Sequence, residues 1–168
     1  MNRYTVAVLV RNQFGVLNRV TSMFRRRQFN ISALTVSETE SSELSRITVV
    51  FGGDETGKQQ LINQLYKLPD VCSIREFDEH NSVSCELLLI KLANDPSVRE
   101  DIRSAADAFG AVTVDYSKDY IMLRLTDNTR RIDDFIDLMR DYTILEICRT
   151  GSVSLERGST TIRQIINL

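Results

Sequence analysis

Tryptophan is absent from this 168-residue chain, histidine occurs once, and the three cysteines stand far apart. Each scarcity removes a class of function. A histidine-dependent catalytic relay needs its imidazole in a fixed, partly enclosed place beside a nucleophile, yet His80 falls in the polar run Asp78-Glu79-His80-Asn81-Ser82. Cys72, Cys85 and Cys148 show no C-x-x-C spacing, so neither a disulfide framework nor a zinc site is predicted, and all three are expected to be buried or semi-buried thiols. An excess of one charge is missing too: a net charge of −2 gives no general attraction for nucleic acid or anionic lipid. The longest apolar runs, such as Leu87 to Ile90, fall far short of the roughly 20 residues a membrane span needs. Met1-Asn2-Arg3-Tyr4 leads straight into a strand pattern without a signal-peptide core, which predicts a cytoplasmic chain.

What is present is a pattern repeated once. Tyr4 to Val10 reads as a strand, and Val16, Leu17, Val20, Met23 and Phe24 then fall on one helical face. Ile31 to Val36 and Ile47 to Phe51 read as strands, a second helical face carries Leu61, Ile62, Leu65 and Leu68 up to Pro69, and Val71 to Phe77 closes the set. The order βαββαβ returns about 80 residues later with strands at Cys85 to Ala93, Val112 to Tyr116, Tyr120 to Leu125 and Ile144 to Arg149. Helices with buried faces at Val98 to Phe109 and Ile132 to Met139 separate them. The predicted fold class is therefore α+β: two ferredoxin-like domains, each an antiparallel sheet with helices on one face. The boundaries expected are 1–78 for the first domain, a linker at 79–83, 84–158 for the second domain, and a tail at 159–168. In the opening strand Val6, Val8 and Val10 face one way and Ala7 and Leu9 the other, so both faces are apolar. A cover for the second face is expected from a subunit partner or from the other domain.

The segment Asn12-Gln13-Phe14-Gly15-Val16-Leu17 ends an apolar strand and opens a helix, and Phe29-Asn30-Ile31 opens the next strand. A helix N-terminus carries unpaired N–H groups and partial positive charge, both suited to a carboxylate. Gly15 leaves the approach open, and the amides of Asn12 and Asn30 both donate and accept, so a free amino acid's ammonium group can be held as well.

Through Asn30 to Val36, Leu44 to Val50 and Gly53-Asp54-Glu55 this arrangement resembles the ACT domain, a small amino-acid-binding regulatory module, and within it the small regulatory subunit family of acetolactate (acetohydroxyacid) synthase. Glu86 to Lys91 and Arg149 to Gly158 look like that family's second half. The resemblance implies a non-catalytic chain that binds and activates a larger catalytic subunit and makes it sensitive to valine or a related branched-chain amino acid. It implies a homodimer through paired ACT domains, an effector site at Asn12, Gly15, Val16, Leu17, Asn30 and Ile31, no cofactor in this chain, and thiamine diphosphate, Mg2+ and FAD in the catalytic partner. The alternative is a free-standing ACT-type sensor acting on another protein. Against the family pattern this chain has Gln28 where glycine is usual, together with Arg11, Phe14 and Asn18 beside the site.

Two other stretches invite chemistry and have plainer readings. Gly52-Gly53-Asp54-Glu55-Thr56-Gly57-Lys58-Gln59 comes within one residue of a P-loop. Gln59 stands where Ser or Thr would hold magnesium, and Asp54 and Glu55 put negative charge where phosphate would rest. A capped helix start, with Asp54 as cap and Glu55 on the dipole, is the expected reading. Asp133, Asp134 and Asp137 are likewise expected to serve a helix start and its exposed face rather than a hard metal.

Overall fold

Strand β1 (Asn2–Arg11) is central to the first sheet because its odd and even side chains are both apolar. In this computed structural model, which describes residues 2–78 and 80–165, β1 is followed by α1 (Val16–Arg26), β2 (Ile31–Glu38), β3 (Leu44–Gly53), α2 (Glu55–Leu65) and β4 (Val71–Phe77). The sheet order is β2-β3-β1-β4, with the β1 pairings antiparallel. Val6, Val8 and Val10 pack against Val16, Val20 and Phe24 of α1 and Leu61 and Leu65 of α2. The second set comprises β5 (Ser82–Ala93), α3 (Arg99–Phe109), β6 (Val112–Tyr116), β7 (Tyr120–Asp127), α4 (Thr129–Met139) and β8 (Ile144–Arg149), in the order β6-β7-β5-β8. Leu88, Ile90 and Leu92 of β5 anchor its core against Ile102, Ile132, Phe135 and Met139. The fold is the α+β, twice-repeated ferredoxin-like arrangement expected. Met1, Glu79 of the expected linker and residues 166–168 of the expected tail lie outside the described residues.

The chain then does something the periodicity did not predict. Strand β9 (Val153–Glu156) and a short turn of 3-10 helix (Ile162–Ile165) follow β8, and this returning segment joins the first compact unit, while Ser84–Gly151 forms the second. Arg46 and Arg75 lie on the face of the first sheet shared with Leu9 and Ala7. Arg46 donates to the carbonyl of Ser154, Arg75 pairs with Glu156, and Arg163 pairs with Glu40 at 3.0 Å. Ala7 and Leu9 are fully buried within the single chain. The cover sought in a partner or in the other domain is thus supplied in part by the chain's own return, and the doubly apolar strand is no argument for a dimer.

Local chemistry explains the P-loop lookalike. The Asp54 carboxylate accepts from the Gly57 N–H at 2.7 Å, the N-cap expected. Gly53 and Gly57 are small for the sake of Phe29: a Cβ would lie 2.6 Å and 2.9 Å from its ring. That ring packs edge-on against Phe51 at 5.3 Å. Lys58, only 5% exposed, is held by Glu55 at 2.7 Å, Glu76 at 2.5 Å and the Tyr4 ring at 4.7 Å. These carboxylates outweigh burial and raise the Lys58 pKa, although burial is the largest single influence and acts to lower it.

Two positions correct the sequence reading. Leu17, expected on the buried face of α1, is exposed, since Val16, Val20 and Phe24 complete that stripe. Cys148, expected to be at least semi-buried, is exposed on the edge strand β8, while Cys72 and Cys85 are intermediate.

Gln28 has φ 58, the left-handed conformation that a side chain disfavours by about 1–2 kcal/mol. Glycine relieves that strain but adds about 0.5–1 kcal/mol of chain entropy to the unfolded state. Gln28→Gly is therefore expected to stabilise the first unit by about 0.5–1 kcal/mol, read as a rise in denaturant midpoint at unchanged slope. A fall in midpoint would show that the glutamine side chain makes up for its backbone strain.

Candidate functional site

The turn between β1 and α1 is built for exposure of backbone N–H groups. Gly15 adopts φ 78 at the N-cap position, and no side chain caps the helix. Val16 N–H reaches back to the Gln13 carbonyl at 3.3 Å, which tightens the turn. The first turn of α1 contains no acidic residue, so its positive dipole end faces outward uncompensated by its own sequence. Beside it Arg19 pairs with Asp70 at 2.7 Å, and the Asp70 carbonyl accepts the Arg11 N–H at 2.9 Å. Phe14 is fully exposed.

Asn12 is fixed rather than free. Its N–H donates to the Glu43 carbonyl at 2.7 Å, and its side-chain Nδ2 donates to Glu38 Oε1 and the Ser42 carbonyl, both at 3.0 Å. The end of β2 and the β2–β3 turn therefore brace this loop. Glu38, Ser42 and Glu43 were not singled out in the sequence, and nothing in their types or spacing marks them, because the brace depends on where β2 ends in space.

The six sequence-predicted residues do not form one cluster in one chain. Asn12, Gly15, Val16 and Leu17 lie at the N-terminal end of α1, with Val16 buried in the core and Leu17 exposed. Asn30 and Ile31 lie past the C-terminal end of the same 11-residue helix. At 1.5 Å per residue that helix separates the two groups by about 16 Å. Asn30 is exposed, and Ile31 is partly buried against the core.

A second polar constellation was missed. Glu86, wholly buried on β5, pairs through Oε1 with Arg149 Nε at 2.5 Å, and Arg149 Nη1 reaches Asp133 Oδ1 on α4 at 2.9 Å. Glu86 lies in phase with Leu88, Ile90 and Leu92, and a charged residue in phase with a core stripe is a legible signal. The two carboxylates raise the Arg149 pKa, the hydrogen bond that Arg149 donates to Glu86 contributing most. Asp133 thus has a partner beyond its own helix. Among the described residues no group of three or more His, Cys, Asp or Glu side chains can hold a metal ion, and no helix is long and apolar enough to cross a membrane.

Two family models match the chain: the "AHAS small subunit-like ACT domain" over residues 6–73 and the "Small subunit of acetolactate synthase" over residues 85–158. A protein of Archaeoglobus fulgidus named "Probable acetolactate synthase small subunit" is 44% identical over 157 residues, covering 94% of this chain and 98% of the relative. The acetolactate synthase small subunit of Bacillus subtilis is 39% identical over 155 residues, 92% of this chain and 90% of the relative. The crystal structure of the Thermotoga maritima acetolactate synthase small subunit superposes with a TM-score of 0.85 at 32% identity, covering 95% of this chain and all of that one.

Proposed function

Because this chain belongs to the acetolactate synthase small-subunit family, we propose that its regulatory role is to activate a thiamine-diphosphate-dependent catalytic large subunit and to make it sensitive to valine. The effector is a free branched-chain amino acid, whose carboxylate rests on the N–H groups that open α1 after Gly15. The observation that carries this reading is the uncapped start of α1 behind a left-handed glycine.

The separation of Asn30 from Gly15 then requires two chains for one site. β2 is the edge strand of its sheet, and Leu34 and Val36 on it are 37% and 42% exposed. Antiparallel pairing of β2 with the same strand of a second copy would set Ile31 of one protomer opposite Glu38 of its partner. Glu38 already binds Asn12, so Asn30 would arrive beside the loop that opens α1 of the partner. A twofold dimer would carry two such sites.

The test is reconstitution with the cognate large subunit, beside sedimentation and valine calorimetry on this chain alone. The chain alone is expected to make no acetolactate from pyruvate, to sediment as a dimer at micromolar concentration, and to raise the large subunit's turnover with valine reversing the gain. Acetolactate formation by this chain free of host enzyme would overturn the regulatory reading. A stable monomer binding valine with full affinity would overturn the shared site.

A further inference from the structure

The chain passes between its two compact units twice, entering the second at Ser84 and leaving it at Gly151. Glu86 stands two residues after the entry and Arg149 two before the exit, and these are the residues that pair at 2.5 Å. The tie continues beside them: Leu87 N–H donates to Thr150 Oγ1, and Thr150 N–H donates to the Leu87 carbonyl, each at 3.1 Å. Within the first unit Arg157 N–H donates to the Asn81 carbonyl at 2.8 Å. The incoming and outgoing segments are therefore cross-tied on both sides of the crossing.

Stability alone is a poor reason for the ion pair at its centre. A buried pair is matched or exceeded in stability by apolar residues of similar volume, whereas its directional bonds fix orientation. Glu86 shows the cost, since Oε2 is buried without a hydrogen-bond partner and Arg149 is its one counterion among the described residues. Arg149 in turn carries the tie to α4 through Asp133.

We propose that Arg149 is a positioning residue for regulation: by clasping Glu86 and Asp133 it makes the double crossing one stiff connection, through which effector occupancy of the first unit reaches the second. This rests on the effector reading above. Without the clasp the β5–β8 pairing and the Leu87–Thr150 bonds remain, but Arg149 no longer ties them to Glu86 and to α4, and occupancy of the first unit is no longer passed on.

The paired change Glu86→Leu with Arg149→Met removes the clasp without stranding a charge, so the fold is retained. Hydrogen exchange at the Leu87 and Thr150 amides is expected to accelerate at least tenfold, with a melting temperature close to the parent's. Valine binding by the small subunit should stay within twofold, activation of the large subunit should persist, and the valine concentration for half-inhibition should rise at least tenfold. A merely structural pair would instead leave inhibition following binding in the double variant. Unchanged exchange at both amides overturns the clasp. If the parent is valine-sensitive and the double variant equally so, the transmitting role fails while the effector reading stands. A parent that binds no branched-chain amino acid removes the effector reading and the transmitting role together, and the exchange measurement still decides the clasp.

Discussion

Gly15→Asp is expected to raise the valine concentration for half-inhibition of the reconstituted enzyme by at least a hundredfold. A Cβ at this position would lie 3.7 Å from the nearest atom, Nη1 of Arg19, so no clash prevents folding. The left-handed φ of 78 costs the new side chain about 1–2 kcal/mol, a tolerable strain at an exposed turn. The added carboxylate then acts twice against the effector: it competes for the same N–H groups, and it repels the ligand's own carboxylate. If the site is closed by a second protomer as proposed, a stranded like charge there costs several kcal/mol, whereas losing one neutral hydrogen bond costs about 0.5–1.5 kcal/mol. Asn30→Ala is accordingly expected to weaken inhibition by about tenfold or less. Activation should survive both changes, because neither residue belongs to a core. A valine titration with a Gly15→Asp chain that folds, dimerises and stays as sensitive as the parent would place the site elsewhere.

Arg149→Met alone is expected to destabilise the second unit by about 3 kcal/mol. Breaking a buried pair by removing one partner costs about 3–5 kcal/mol, and the lower end applies because Arg149 is itself about one-third exposed. Glu86 is left wholly buried with neither oxygen paired to a cation. For a unit of this size the loss corresponds to a fall of roughly 12–24 °C in melting temperature. Adding Glu86→Leu should recover most of it, which a scan of the parent and both variants would show. A drop below about 1 kcal/mol would mean that water reaches Glu86 and that the pair is energetically a surface one.

Both variants act on features of different legibility. Gly15 was readable because a glycine between an apolar strand and an amphipathic helix signals a specific backbone turn. Gln28 was marked only by the family resemblance, as a side chain where glycine is usual, and its left-handed φ came from the structure. Glu86 could have been read from its phase with Leu88 and Ile90, but its partner Arg149 lies 63 residues away and no local pattern joins them. The returning segment was missed because its strand is only four residues long, and its alternation points to the wrong face: Val153 and Leu155 are exposed while Ser152 and Ser154 are buried.

The sequence by itself determined the order of elements, the repeat of βαββαβ, the Asp54 cap and the glycine turn before α1, because periodicity, capping and backbone freedom act over a few residues and are written in the chain. Only the tertiary structure decided the rest: that the end of β2 braces Asn12, and that residues after Gly151 rejoin the first unit. It also decided that Glu86 depends on Arg149. These features join residues far apart in sequence, and their pairing is set by how strands and helices pack, a property of the whole fold that no window of the chain contains.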